Sequence, residues 1–526
     1  MKKLVCIIIS ILIIVLSFSA CGNSTYSLSV EIENMPQNID PQLASSDTEL
    51  MIVRNTFEGL MRTDKDGKTV LGIADGYEIS ADKKTYTFTI NKNAKWSDGR
   101  NLTANDFEFA LKRAANPVTA SPHSDLLRNI KGVSAALSKK SSYQDIGVIA
   151  ENDHTLKIIL NSADENFLDK LTKSVFMPCN EDYFVSCKGK YGLNINNIIF
   201  NGTYKIGQWN NEGNSVKLII HQNYGGNFKA GPSKIWLEIP DEDEKSTRPQ
   251  RVASESIDLA RLDYNDISKA ELEDIKVTNI YNSSYAIVFN SNTSVGKNSK
   301  LLCSFATSID KNELEKAVPE NFNTTYSIVP SVCKVSNKPA SEVFKGNNKF
   351  TYSPKSAREL FLESLKEFPD ESFPTFSVLC EDNEIIKNIL ANAVSYWQQN
   401  LGAYISIETV PSEDLQKRIL NGDYTAAFVS VTAKDEYAYD FLSCFKTGYS
   451  QNIINYSNSE FDNLLSEKHK NNESKLKSAE KILLNSATVI PICEAPTIFS
   501  TPKNIKGAVF SIYNGIVDFS FIYRED

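Results

Sequence analysis

The sequence predicts a mixed α/β protein built of several domains, and three observations carry that reading. Period-two and helical apolar patterns alternate along the chain: Lys84-Thr-Tyr-Thr-Phe-Thr-Ile alternates strictly, while Phe107, Ala110, Leu111 and Ala114 recur at helical spacing. A length of 526 residues exceeds what one hydrophobic core holds and implies two or three cores. The hydrophobic share of 41%, rich in Tyr and Phe, is that of a packed globular chain rather than a disordered one.

The elements follow in order. Lys2 and Lys3 precede an apolar run from Leu4 to Phe18, then Ser19-Ala20 and Cys21-Gly22, the pattern of an export signal over residues 1–20. The run falls short of the roughly 20 residues that span a bilayer as a helix. A short anchor retained on the chain is the other reading. Ser-Ala-Cys-Gly resembles the bacterial lipobox, with Phe18 where that motif prefers Leu, and the resemblance implies lipidation of Cys21. Residues 21–26 read as a tether, and no later stretch approaches membrane-spanning length.

Ser27-Leu-Ser-Val-Glu-Ile-Glu alternates as a half-buried strand, and Asn38-Ile-Asp-Pro-Gln turns the chain. Leu50, Ile52, Val53, Phe57 and Leu60 predict a helix over 49–60, and Asp64-Lys-Asp-Gly-Lys predicts a turn. A hairpin is predicted over 77–90, then a helix after Thr103 as N-cap with Asp106 three residues on. Strands are predicted at 155–160 and 215–220, and helices at 354–366, 382–401 and 412–421. Asp241-Glu-Asp-Glu reads as a solvated loop, since it lacks the spacing and glycine of a calcium loop.

Charge and cysteine usage narrow the function classes. Without residues 1–20 the chain carries 54 basic and 65 acidic residues, a balance of −11, and no basic cluster, which argues against a nucleic-acid partner. Beyond Cys6 and Cys21, seven cysteines remain, an odd number that cannot all pair. The expectation is mostly free, buried thiols, although Cys179 and Cys187 are close enough in sequence for a local disulfide. There is no CxxC pair, GxSxG or HExxH, and the four histidines are scattered, so neither a metal site nor a hydrolase is predicted.

The blocks Asn55-Thr-Phe-Glu-Gly-Leu, Asp64-Lys-Asp-Gly-Lys, Thr85-Tyr-Thr-Phe, Ala94-Lys-Trp-Ser-Asp-Gly and Leu102-Thr-Ala-Asn-Asp-Phe occur together in this order. Asn116-Pro-Val-Thr-Ala-Ser-Pro, Asn201-Gly-Thr-Tyr-Lys-Ile, Ile287-Val-Phe-Asn, Trp397-Gln-Gln-Asn-Leu-Gly and Asn455-Tyr-Ser-Asn follow. This series resembles extracellular solute-binding proteins of family 5, the oligopeptide and dipeptide binders of ABC importers, over nearly the whole chain.

The resemblance implies a two-lobed periplasmic-binding-protein-like fold (class II, cluster C) with an extra N-terminal domain. Lobe I would combine residues 27–57, 176–278 and 493–526; residues 58–175 would form the extra domain; lobe II would span 279–492. Hinges would lie near Asn279 to Ser284 and Cys493 to Pro496. It further implies a peptide ligand, importer permease and ATPase partners, a membrane tether through lipid, a monomer, no cofactor and no catalysis. Relatives tuned to a nickel chelate, haem or a sugar, and receptors that sense peptides without transport, are the alternatives.

Site residues carried over are Ser45, Ser46 and Asp47 after Asp40-Pro41, His123 after Thr119-Ala-Ser-Pro, Arg261 and Leu262 past Ile257-Asp258, and Tyr285 at the hinge. His123 would face the ligand or sit in a surface loop. Arg261 would meet a peptide carboxylate or an acid of its own lobe. A peptide's ammonium needs an acid, because burying it unpaired is expensive. In the family that acid precedes a Phe-Leu pair; here Thr432, Ala433, Lys434 and Asp435 occupy the region. Counting back from Phe441-Leu442 without a gap reaches Lys434, and a one-residue shift reaches Asp435, the candidate acid; a solvated loop acid is the other reading.

Overall fold

The computed structural model describes residues 26–241, 244–347, 350–433, 435–449, 452–466, 469–511 and 516–525. The expected export signal and Cys21 therefore lie outside the described residues, as does Lys434. Among the described residues no helix is long and apolar enough to cross a membrane.

Strand β1 (Ser27–Glu31) buries Leu28 and Val30 on one face, as its alternation predicts. Helix α1 (Asp47–Thr56) is shorter than the predicted 49–60 at its C-terminal end. The reason is a competing ladder: the carbonyls of Gly59 and Leu60 accept from the N–H groups of Ile73 and Gly72, so residues past Phe57 are extended. Next, β2 (Ala74–Ile79) and β3 (Thr85–Ile90) form the expected hairpin, with Tyr86, Phe88 and Ile90 inside. Helix α2 (Ala104–Ala115) starts at Thr103, whose backbone N–H donates to Asp106 at 2.8 Å. Its stripe of Phe107, Ala110, Leu111 and Ala114 is fully buried. β4 (Val148–Asn152) and β5 (Thr155–Ile159) complete a four-stranded sheet in the order β2-β3-β5-β4.

The chain then returns to β1. β6 (Tyr204–Asn210), β7 (Ser215–Ile220) and β8 (Lys234–Glu238) form a meander, and β8 pairs in parallel with β1. One continuous core runs through this sheet, α1, α2 and the β2–β5 sheet, so these elements pack as a unit.

The rest of the molecule hangs on two long antiparallel strands. β9 (Ala260–Leu262) borders the N-terminal end of the first, β10 (Ile275–Phe289), through the second, β14 (Val489–Pro502). Helix α3 (Ser299–Ser308) and α4 (Pro354–Leu365) pack outside the sheet. β11 (Ser377–Glu381), α5 (Glu384–Leu401), β12 (Ser406–Val410), α6 (Ser412–Asn421) and β13 (Ala426–Thr432) follow. The predicted helix from 382 starts at Glu384 because the Asn383 side chain accepts from the N–H groups of Ile385 and Ile386. The sheet order is β9-β14-β10-β13-β11-β12.

Two cores sandwich the β10–β14 ladder at its Ile287–Ile490 end, and a separate small core holds Ile275 and Ile498 at the other. The register of that ladder breaks between Ile280 and Ser283. Cys179, Cys187, Cys333, Cys380 and Cys493 are free and buried, so Cys179 and Cys187 do not form a local disulfide. Of the acidic run at 241–244, Asp241 and Glu244 are exposed and the middle two lie outside the described residues.

Candidate ligand-binding cleft

The loop before α1 is shaped by buried charge. Arg113 grips both oxygens of Asp40 at 2.6 Å each, with both side chains buried. Gly192, at φ +80°, lets a second loop close on it: a Cβ there would meet Asn38 Oδ1 at 2.4 Å, and the Gly192 carbonyl accepts from Ile39 at 2.9 Å. Glu49 accepts backbone N–H bonds from Gln37, Asn38, Ser45 and Ser46 at 2.9–3.1 Å. Burial pushes its carboxyl up, but these four donors outweigh it and hold the pKa below the ordinary value.

This rigid loop presents Ser45, Ser46 and Asp47 at the surface. The Ser46 side chain caps α1 by accepting from Glu49 N–H at 3.3 Å. Asp47 pairs with Arg261 at 3.0 Å. Of the two roles open for Arg261, this geometry has the ion pair with an acid of the protein itself.

Asp47, Arg261, Leu262, Tyr285 and Thr432 line one cavity of about 490 Å³, together with Glu381. It sits along the paired stretch of β10 and β14 near the register break, with Pro496 to Ile498 in its wall. Thr432 Oγ1 lies 2.9 Å from Ser283 Oγ, fixing the end of β13 on β10. The cavity is acidic. Arg261 neutralises Asp47 and Arg248 neutralises Asp263, leaving Glu33 and Glu381 without ion pairs among the described residues. Burial, and then the charge of Asp263, raise the pKa of Glu381.

His123 and Asp435 line a second cavity, of about 250 Å³, with Lys173, Leu50, Val53 and Phe510. Half-buried His123 places Nε2 3.1 Å from the Ala44 carbonyl. Asp435 is 8% exposed, and its Oδ1 accepts the Tyr437 N–H at 2.7 Å. No basic side chain among the described residues forms an ion pair with it. Burial, and next the charge of Asp440, push its pKa up to about 7 against the pull of Lys173. The same burial lowers the ammonium pKa of Lys173, with Asp435 the main opposing charge.

The remaining candidates fall outside both cavities. Ser45 lines neither, and Ser46 borders a shallow hollow of about 140 Å³ beside Asp47 and Arg261. Ala433 is buried and extends the β-ladder through its N–H on the Asn282 carbonyl at 2.8 Å. Sequence reasoning missed Glu381, Lys173 and Tyr437. Glu381 had a signal: it ends a parallel strand just before a helix, the edge where open α/β sheets place ligands. Lys173 had none, because only the tertiary fold brings it to Asp435, and Tyr437, two residues from Asp435, had none for its bond to Asp169.

A two-lobed α/β fold with a cavity along its two long paired strands defines the class of hinged, two-lobed binding proteins. The chain belongs to the bacterial extracellular solute-binding proteins of family 5, whose middle-region model matches residues 68–452. It is 27% identical to the oligopeptide-binding protein OppA of Bacillus subtilis over 97% of both chains. The fold is shared with Listeria monocytogenes OppA bound to peptide, at a TM-score of 0.77 and 23% identity, covering 95% of this chain and 99% of that one. It is shared equally with the substrate-binding domain of an oligopeptide ABC transporter from Bacillus anthracis, at 0.76 and 23%, covering 95% and 99%. The family is one of transport proteins that bind solutes outside the cytoplasm.

Proposed function

We propose that this chain captures peptides between its lobes and delivers them to an ABC importer, tethered to the outer face of the cell membrane through lipid on Cys21. Lobe I comprises residues 27–57, 176–278 and 493–526, the extra domain 58–175 and lobe II 279–492, and the protein acts as a monomer. The lobes close about Asn279 to Ser284 and Cys493 to Pro496; the register break between Ile280 and Ser283 supports a hinge there.

The observation that carries the reading is Asp435. A buried carboxyl on a cavity, with no ion-pair partner among the described residues, is matched to an incoming ammonium, and the peptide amine supplies one. The edge of the sheet offers strand-like pairing to the peptide backbone, which gives affinity without reading side chains. The unpaired Glu33 and Glu381 favour a basic side chain farther along the peptide.

Calorimetric titration with tripeptides tests this reading. Free-amine tripeptides should bind, their N-acetylated forms should bind at least about tenfold more weakly, and equal binding of the two would remove Asp435 from its role.

A further inference from the structure

Lobe II holds another cavity, of about 340 Å³, lined by apolar Ile309, Ile490 and Tyr352 and by polar Asp310, Asn312 and Thr351. Pro491 and the cleft residue Pro496 lie on the same strand, and five residues of strand separate them by roughly 17 Å. This cavity is therefore separate from the cleft.

Lys311 lines it and is only 7% exposed. Its Nζ donates to the Thr325 carbonyl at 2.8 Å and lies 4.5 Å from the centre of the Tyr326 ring. Among the described residues it has no ion pair; the neighbour whose charge favours its ammonium is the Cys493 thiol, not a carboxylate. Burial pulls its pKa down to about 7. An ammonium carries three donors and no acceptor, so one carbonyl and one ring face leave it short of partners. A buried cation in that state rewards any anion that reaches it. A buried ammonium lining a cavity of this size beside aliphatic side chains has the features of a small-molecule site, and the acid that also lines it, Asp310, is engaged in capping a helix through the N–H groups of Asn312 and Glu313 at 3.1 and 3.4 Å.

We propose that this cavity binds a small organic carboxylate with an apolar body. The carboxylate accepts from Lys311 Nζ, and the body lies against Ile309, Ile490 and Tyr352.

The test uses the intact protein and two probes with the same tail, octanoate and 1-octanol. Octanoate should saturate one site per chain, take up protons at about pH 8 as Lys311 becomes charged, and bind roughly ten- to a hundredfold more tightly than octanol, the worth of a charge-assisted hydrogen bond. Lys311→Met should bring octanoate down to the octanol level. Independently of whether that variant folds, octanoate should slow reductive methylation of Lys311 in the unaltered protein, read by peptide mass mapping. Equal affinity for the two probes, no saturable octanoate binding, or an unchanged rate of Lys311 methylation would each overturn the proposal.

Discussion

The Tyr437 hydroxyl donates to the Asp169 carboxylate, joining the loop that carries Asp435 to the segment that carries Lys173. Asp169 also accepts from Thr69 Oγ1 at 2.5 Å, so the acceptor is fixed on its own side. Nearby, Asn471 accepts from Asn166 and donates to Glu165, each at 3.3 Å. These bonds cross from the stretch 437–471 to the stretch 69–169, and the Asp169–Tyr437 bond does so beside the Asp435 cavity.

Tyr437→Phe removes the principal bond of this crossing and leaves Asp435 and its backbone donor in place. Peptide dissociation should quicken by roughly tenfold, in line with a hydrogen bond to a charged acceptor, while association changes little. Stopped-flow measurement of both rates checks this, and an effect confined to association would contradict it.

Asp435 gives a pH dependence whose sign can be worked out. Its folded pKa, about 7, lies above the ordinary 3.8, so the folded protein holds that proton more tightly than the unfolded chain. Its contribution to the stability of the empty protein is full below about pH 4 and is lost as pH rises through 7. Asp435→Asn should flatten this slope and leave the empty protein more stable near pH 8 by about 1–3 kcal/mol, measured by urea denaturation across pH. The same variant should lose affinity for free-amine peptides. In the unaltered protein that affinity should peak between about pH 7 and 8, since the carboxyl is protonated below and the peptide amine deprotonates above.

Glu381→Gln bears on selectivity. With Glu33 alone left unpaired in the larger cavity, the preference for peptides with a Lys or Arg side chain over their Glu counterparts should narrow by about tenfold. Competition titrations with matched tripeptides measure it, and an unaltered preference would move the basic side chain elsewhere.

Arg113→Ala leaves Asp40 buried and unpaired beneath the loop that presents Asp47. A loss of about 3–5 kcal/mol of stability follows from breaking a buried ion pair on one side, with peptide binding reduced in the fraction that remains folded. Chemical denaturation of the variant reads the first effect and calorimetry the second.

Much of this architecture was legible before any coordinates. Period-two patterns placed the strands at 27, 85, 155 and 215, because one face of each is buried and the alternation is forced by the pleat. Helix ends were less legible where they depend on partners distant in sequence, as when Gly72 and Ile73 capture the carbonyls of Leu60 and Gly59. The cleft divided the same way. The family resemblance pointed to Asp47, Arg261 and Asp435 alongside Ser46, which caps a helix, and Ala433, which extends a strand ladder. That Asp47 and Arg261 meet, that Lys173 shares a cavity with Asp435, and that Tyr437 reaches Asp169 are facts of tertiary packing across separations no local pattern encodes.

The most direct test of the central claim is mass spectrometry of the ligand released on denaturing protein purified from its native host. Peptides with free amino termini, enriched in Lys or Arg after the first residue, are the predicted result. A sugar, a haem or a metal chelate in their place would contradict it.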